Sequence, residues 1–242
     1  MRNTIPFNNV NFDYNYFISS FIDSMANIQG NNIKSIILAG SYARGEATES
    51  SDVDIWCVFD KLDTTTLTSI ATIINNLPIK YGQVELNTQC FSFEEFNSIF
   101  FADFLAKPII VLEGVLLYGE EIAKNGLSND EVVYTYKKIL SQVLLSVRHY
   151  ISVNEPKEKL TYRKLKAYVL KPLMFALRLE RYCNTGIYPL TSKNLYDLYN
   201  DMDKSVLVIW YMSPDTLEKA IQSNHIDVLL TINNYIADMI NN

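Results

Sequence analysis

Two short polar motifs lie where one apolar segment of this chain ends and the next begins. Gly40-Ser41 follows the apolar run Ile33–Ala39, and Asp52-x-Asp54 begins the next apolar run, which ends at Phe59. Residues i and i+2 of a strand point to the same side, so the two aspartates would direct two carboxylates at one point. Carboxylates held that close repel each other unless a cation lies between them. Because the Gly-Ser turn also offers backbone N–H groups and a hydroxyl to a phosphate, the two motifs predict a metal-dependent nucleotide site.

This arrangement resembles the signature of the polymerase-β-like nucleotidyltransferases. In that family a Gly-Ser turn is followed, after a short loop, by two aspartates on alternate positions of an apolar strand. A third carboxylate stands on a later strand, and Val84-Glu85-Leu86 fits that place. The resemblance implies that Asp52, Asp54 and Glu85 bind one or two Mg²⁺ ions, and that Glu85 takes the proton from the acceptor hydroxyl.

The same resemblance implies a set of contacts to ATP, the expected substrate. Gly40 would allow the backbone to approach the triphosphate, and the Ser41 hydroxyl would bind a β- or γ-phosphate oxygen. Arg44 lies between the two motifs, where it would either contact a phosphate or be an exposed loop arginine. Ser51 matches a common Ser-Asp pair of the family and would hold this loop by a local bond between its side chain and the backbone.

Composition indicates a globular protein that does not enter a membrane. The chain has 242 residues, of which 48% are hydrophobic and 20% are charged, so it can bury a sizeable core. It has no apolar stretch that approaches the ~20 residues of a membrane span, and its first residues lack an apolar signal segment. The three cysteines are far apart and form no CxxC motif, which predicts a reduced, cytoplasmic setting.

Charge is distributed unevenly along the chain. Residues 1–124 hold 7 Lys and Arg against 15 Asp and Glu, whereas residues 125–242 hold 14 against 12. The acidic N-terminal half argues against nucleic acid as a partner, because a large nucleic-acid footprint needs a basic stripe. It is compatible with a cationic acceptor, and also with a surface that merely keeps the protein soluble.

Hydrophobic periodicity predicts an α+β fold in two domains. The predicted elements are strands over Ile33–Ala39, Val53–Phe59, Gln83–Thr88 and Ile109–Leu117, and helices over Asp13–Ile28 and Thr64–Leu77, the latter capped by Thr64. A turn-rich segment over 125–130 marks the boundary. We therefore expect a nucleotidyltransferase domain over 1–124, with a mixed β-sheet flanked by helices. An all-α domain that binds substrate or nucleotide should follow over 125–242.

This layout resembles the bacterial aminoglycoside adenylyltransferases, chiefly the streptomycin/spectinomycin type. In those enzymes an arginine shortly before a Thr-Gly turn and a lysine just after it serve the nucleotide, and Arg178, Thr185-Gly186 and Lys193 stand in that order here. Lys164, Lys171 and Arg178 are seven residues apart, so a helix would place them along one face. That face is either a nucleotide contact or an ordinary solvated basic surface.

The function predicted from these features is Mg²⁺-dependent transfer of AMP from ATP to a hydroxyl of a small molecule. An aminoglycoside antibiotic is the leading acceptor, which would make the chain an antibiotic-resistance enzyme. The acids and aromatic residues with which the streptomycin-type enzymes recognise the drug have no counterparts near Arg178, so the resemblance supports the reaction more strongly than the acceptor. Two alternatives remain open: a nucleotidyltransferase that modifies a protein or RNA, and a non-catalytic nucleotide-binding module.

Overall fold

The computed structural model describes residues 14–28, 32–48, 51–77, 85–98, 106–122, 127–199 and 205–241. The chain divides into two compact units, Met1–Leu127 and Ser128–Asn242. The first contains a mixed sheet with flanking helices and the second contains helices, which confirms the predicted α+β class. Within the described ranges, no helix combines the length and the apolar character that crossing a bilayer requires.

Five helices of the first unit lie in the described residues: α1 (Tyr14–Ala26), α2 (Gly40–Arg44), α3 (Thr64–Asn76), α4 (Phe93–Asn97) and α5 (Ala106–Glu113). The Asp63 carboxylate caps α3 by accepting the Thr66 N–H, so the prediction that Thr64 is the cap was wrong by one residue. Helix α4 begins with a reciprocal pair of hydrogen bonds between Ser92 and Glu95. Both caps satisfy N–H groups that a helix leaves without an internal partner.

The first unit is built on a four-stranded sheet of β1 (Ile33–Ala39), β2 (Val53–Phe59), β3 (Leu86–Ser92) and β4 (Val115–Gly119). Its spatial order is β3-β2-β1-β4, with β2 and β3 parallel and β1 antiparallel to both of its neighbours. The parallel pair is possible because the long connection through α3 returns the chain to the same end of the sheet. The pairing places the start of β2 between the end of β1 and the start of β3, which matters for the site below.

The two faces of β2 carry different residue types. Val53, Ile55 and Cys57 pack into a cluster with residues of α1 and α3, and all three are fully buried. The alternate positions of β2 point to the opposite face, where Trp56 stacks on Phe91 with ring centroids 5.0 Å apart. Because side chains alternate along a strand, Asp54 belongs to this second face.

The strand predicted over Ile109–Leu117 was wrong. The run divides into the end of α5 and the strand β4, with Gly114 between them. A Cβ at Gly114 would lie 2.4 Å from the Ile110 carbonyl oxygen and 2.7 Å from Ile37 Cγ2, so only glycine permits this sharp change of direction. A short apolar run does not distinguish a buried helix from a buried strand by periodicity. The strand predicted over Gln83–Thr88 begins at Leu86 among the described residues and extends further, to Ser92.

The described part of the second unit consists of helices: α6 (Asn129–Ser152), a 3₁₀ turn (Lys157–Lys159), α7 (Tyr162–Leu165), a π-helical turn (Lys166–Leu170), α8 (Lys171–Thr185), α9 (Ser192–Tyr199), α10 (Ser205–Met212) and α11 (Pro214–Asn241). Helix α6 starts with a second reciprocal cap, formed by Ser128 and Glu131. Helix α11 is interrupted at Asn224, whose backbone is extended and whose side-chain oxygen caps the following turn.

The three basic residues of the predicted face do not form one solvated surface. Pro172 has no N–H, and the turn before it follows the wider i→i+5 pattern, in which the Lys171 N–H donates to the Lys166 carbonyl. This wider turn shifts Lys164 relative to the residues that follow it. Lys171 and Arg178 both lie in α8, where Lys171 is exposed, whereas Arg178 is only 1% exposed because its guanidinium lies against Phe175 and Ser192.

Candidate active site

The end of β1 places a glycine directly against one of the two aspartates. Ala39 is the register partner of Asp54, and the next residue, Gly40, begins α2 with a φ of 66°. A Cβ at Gly40 would lie 2.0 Å from Asp54 Oδ2, a distance that no side chain could occupy. Glycine is therefore required at position 40 for two reasons, its left-handed backbone and its contact with the carboxylate.

The other oxygen of Asp54 contacts the neighbouring strand. Asn87 is the register partner of Asp54 across the parallel pair, and its Nδ2 donates to Asp54 Oδ1 at 2.9 Å. The carboxylate thus lies between the bare backbone of Gly40 on one side and a neutral amide donor on the other. Asp54 remains partly exposed, so its side chain is accessible from solvent.

Asp52 lies two residues before Asp54, immediately before the start of β2, and is also partly exposed. The negative charge of Asp52 acts electrostatically on the hydroxyl of Tyr42, a residue of α2. Burial first, and then the negative charge of Asp52, raise the pKa of the Tyr42 hydroxyl. Tyr42 is in turn held by stacking on Tyr14, with ring centroids 5.4 Å apart. The phenol therefore stays neutral beside the acidic pair at physiological pH.

Glu85, the predicted third carboxylate, immediately precedes β3. Its carbonyl oxygen accepts the Val53 N–H at 2.8 Å. Because Val53 is the register partner of Leu86, the residue before Leu86, which is Glu85, lies across from Asp52. The side chain of Glu85 is exposed. Across the parts of the chain that are described, no three His, Cys, Asp or Glu side chains converge as a ready-made metal group. The carboxylates that could bind a cation are thus those of Asp52 and Asp54, with Glu85 on the neighbouring strand.

The two partly exposed carboxylates of Asp52 and Asp54 match the ligand preference of Mg²⁺. This ion takes hard oxygen ligands and often uses one or two carboxylates, with substrate phosphates completing its coordination. The Asp52 side chain has no ion-pair or hydrogen-bond partner among the described residues, so its oxygens are available to such an ion. The residues present therefore suit a cation that is shared between protein and nucleotide.

The two predicted serines differ in their surroundings. Ser51 makes the local bond predicted for it, because its Oγ accepts the Thr48 N–H at 2.9 Å while its own N–H donates to the Thr48 carbonyl. Ser41 is the second residue of α2, and its carbonyl accepts the Glu46 N–H at 2.8 Å. The Ser41 hydroxyl has no hydrogen-bond partner within the described ranges and is partly exposed, as a phosphate contact requires.

Arg44 has a different position from either of those expected. It is the last residue of α2 and is 5% exposed, so it is not an exposed loop residue. Its Nε donates to Glu46 at 2.9 Å, and its Nη1 donates to the fully buried Glu113 at 2.8 Å. Two carboxylates therefore neutralise the guanidinium inside the protein. This arrangement makes Arg44 an anchor of α2 and leaves its charge committed to Glu46 and Glu113.

The two predicted nucleotide residues of the second unit differ sharply in exposure. The Arg178 guanidinium is buried, lies over the ring of Phe175 and donates to Ser192 Oγ at 3.2 Å. Lys193 follows Ser192 at the start of α9 and is exposed. Arg178 thus connects α8 to the first residue of α9, and of the two predicted residues only Lys193 presents its charge to solvent.

Two residues of the first unit that contact predicted site residues were not identified from the sequence. Asn87 is two positions after Glu85, so the period of a strand could have placed it on the same face as the predicted acid. Glu113 belongs to an apolar run and is separated from Arg44 by 69 residues, and no local signal connects the two. The partner of the buried Glu113 could be identified only from the fold.

Comparison with known proteins found one matching family model and two similar proteins. Residues 18–164 match the family model described as a nucleotidyltransferase domain. One similar protein, from Methanocaldococcus jannaschii and provisionally named a protein adenylyltransferase, is 39% identical over 80 residues, which are 33% of this chain and 75% of that protein. A second protein from the same organism, with the same provisional name, is 66% identical over 29 residues, 12% of this chain and 29% of its own length.

Proposed function

The chain belongs to the nucleotidyltransferase-domain family, and from this premise we propose that this enzyme transfers AMP from ATP, with Mg²⁺, to a hydroxyl of an acceptor protein. The observation that carries the proposal is the Asp52–Asp54 pair, with the Gly40-Ser41 turn in contact with it. A carboxylate pair beside a Gly-Ser turn offers a place for a cation and a triphosphate, both of which nucleotidyl transfer needs.

Each residue of the site has a distinct role in the proposed reaction. Asp52 and Asp54 hold the cation that, when bound, neutralises charge on the triphosphate and on the departing pyrophosphate. Gly40 leaves room for the triphosphate beside the Asp54 carboxylate, and the Ser41 hydroxyl donates to a β- or γ-phosphate oxygen. Glu85 accepts the proton of the acceptor hydroxyl, whose oxygen forms a bond to the α-phosphorus. The bond from the α-phosphorus to the bridging oxygen breaks, and pyrophosphate leaves with the electron pair.

Lys193 stays a candidate phosphate-binding residue of the second unit. Its exposed ammonium group at the start of α9 is suited to a phosphate. Arg178 would act indirectly, because its buried guanidinium holds Ser192, the residue that precedes the lysine. Arg44 has no phosphate role in this proposal, since Glu46 and Glu113 already neutralise it.

The acceptor class is proposed from the relatives. Both similar proteins carry the name protein adenylyltransferase, which favours a Ser, Thr or Tyr hydroxyl of a partner protein. A small-molecule acceptor is the second candidate. The helical second unit favours a small-molecule acceptor for two reasons. The match to the first relative covers only 33% of this chain. The streptomycin-type enzymes, which the layout resembles, also pair their catalytic domain with a helical one.

The test is label transfer from ATP that carries ³²P in the α position. The enzyme and Mg²⁺ are incubated with a soluble extract of the source organism, and separately with a panel of aminoglycosides that includes streptomycin and spectinomycin. A protein band labelled by α-³²P but not by γ-³²P ATP supports adenylylation of a protein. A labelled drug together with pyrophosphate release would instead establish the small-molecule acceptor.

The matched controls use the acidic pair. Asp54→Ala should abolish label transfer, and Asp63→Ala, which changes an exposed aspartate in the cap of α3, should leave it unchanged. Label that persists undiminished in Asp54→Ala would show that the site is misassigned. Absence of transfer to both acceptor classes, with Mg²⁺-dependent ATP binding intact, would reject both acceptors and leave the nucleotide site.

A further inference from the structure

The Asp54 carboxylate is contacted on both of its oxygens, and only one of these contacts comes from the two sequence motifs. Oδ2 lies against Gly40, where a Cβ would be 2.0 Å away, and Oδ1 accepts a hydrogen bond of 2.9 Å from Asn87 Nδ2. Asn87 stands on β3, the strand next to the aspartate pair, and is the register partner of Asp54. No role in nucleotidyl transfer has so far been assigned to this asparagine.

We propose that Asn87 is a positioning residue that fixes the Asp54 carboxylate for a divalent cation. The inference rests on the proposed function, because it assumes that Asp54 is a ligand of that cation. Rotation of a carboxylate about its last side-chain bond has a broad, shallow profile, so the group needs an external contact to keep one orientation. The amide supplies that contact without adding charge, and a carboxylate oxygen can accept more than one contact at a time.

A neutral donor suits this position better than a cation or another acid would. A lysine or arginine at the same distance would compete with the metal for the carboxylate. An additional acid would add a negative charge beside Asp52 and Asp54. Hydrogen bonds of this outer kind are typically worth about 10–100-fold in metal affinity, because they hold the ligand in its binding geometry before the ion arrives.

The same strand offers a matched control for this inference. Gln89 is two residues further along β3, is exposed and carries the same amide group. Its register partner is Trp56 instead of an aspartate, and within the described residues its side chain has no hydrogen-bond partner. Asn87→Ala and Gln89→Ala therefore remove equivalent surface amides from one strand face, and only the first removes a contact to Asp54.

The experiment measures binding of Mn²⁺, a spectroscopic substitute for Mg²⁺, to the full-length protein. Free Mn²⁺ is followed by its electron paramagnetic resonance signal in the presence of α,β-methylene-ATP, which cannot be cleaved at the α-phosphate. Asn87→Ala should raise the Mn²⁺ Kd about 10-fold or more. Gln89→Ala should leave it at the wild-type value. Both variants should melt within about 2 °C of wild type, because they change exposed side chains.

A second readout separates positioning from structural damage. In nucleotidyl transfer, Asn87→Ala should need a higher Mg²⁺ concentration for half-maximal rate, while its rate at saturating Mg²⁺ stays close to that of wild type. Wild-type Mn²⁺ affinity in Asn87→Ala, together with loss of Mn²⁺ binding in Asp54→Ala, would overturn the role of Asn87 and leave the proposed function intact. Failure of the wild-type protein to bind Mn²⁺ would overturn both.

Discussion

Arg44 and Glu113 form an almost completely buried ion pair, with Nη1 donating to Oε2 at 2.8 Å and exposures of 5% and 0%. The pair joins the end of α2 to the end of α5. Since α2 contains the Gly-Ser turn of the candidate active site, this contact connects the position of the turn to a residue far along the chain. A buried pair of this kind is most costly when only one partner is removed.

We therefore expect Glu113→Gln to lower the free energy of unfolding by about 3–5 kcal/mol, because it leaves the guanidinium in the core with much of its charge uncompensated. Urea denaturation at neutral pH measures the change. Lys34→Ala, which removes an ion pair to the largely exposed Asp60, is the control and should have a much smaller effect. A Glu113→Gln variant as stable as Lys34→Ala would contradict the structural role given to this pair.

Gly40→Ala should fold but lose nucleotidyl transfer by about 100-fold, because the added Cβ displaces the Asp54 carboxylate. Gly45→Ala is a closely matched control. Gly45 has a similar φ of 73°, but a Cβ there would meet nothing within 4 Å. Both variants carry the backbone cost of alanine in the left-handed region, about 1 kcal/mol, in urea denaturation. Pyrophosphate release measures activity, and equal losses in the two variants would show that strain alone accounts for the effect.

Replacing either aspartate of the pair should remove activity without harming the fold. Asp52→Ala and Asp54→Ala are each expected to lower the rate of pyrophosphate release by about 1,000-fold or more, since each removes a proposed ligand of the cation. In the absence of metal, their melting temperatures should equal or exceed that of wild type, because two neighbouring negative charges no longer repel. Full turnover in both variants would refute the site.

Glu85→Gln tests the proposed general base separately from nucleotide binding. The amide cannot take a proton from the acceptor hydroxyl, so kcat should fall by about 100- to 10,000-fold. Affinity for α,β-methylene-ATP should change little, because the exposed Glu85 side chain contributes least to holding the triphosphate. Isothermal titration calorimetry and label transfer measure the two quantities. An unaltered kcat would show that Glu85 is an ordinary surface residue and not the general base.

The cap of α3 predicts a pH-dependent contribution to stability. Hydrogen bonds from the Thr66 backbone N–H and side chain lower the pKa of Asp63 below its ordinary value. A carboxyl group with a lowered folded-state pKa stabilises the protein above its unfolded-state pKa, and loses that contribution as the pH falls through the folded-state pKa. Asp63→Ala should therefore have a lower urea midpoint than wild type at pH 7, and the difference should narrow below about pH 4. A difference that is constant over this range would show that charge plays no part in the cap.

Local patterns in the sequence determined much of this fold. The strands predicted over Ile33–Ala39 and Val53–Phe59 are observed with those bounds, because β-branched runs between turn residues are a strong local signal. The period of a strand also predicted Asp52 and Asp54 on one face, and Asp54 lies on the face of β2 that contacts Asn87. The membership of the nucleotidyltransferase family could be anticipated from the same short motifs, since they carry the chemistry of the site.

The tertiary structure decided which distant residues meet. Asn87 contacts Asp54 only because β3 lies parallel to β2 in one register, and Glu113 meets Arg44 only because α5 packs beside α2. The division of the apolar run at Gly114 likewise depends on a close approach to Ile37. Periodicity shows which side chains share a face, but the identity of a neighbouring strand or helix depends on long-range packing. The aspartate pair could therefore be predicted from the sequence, whereas the residue that contacts Asp54 required the fold.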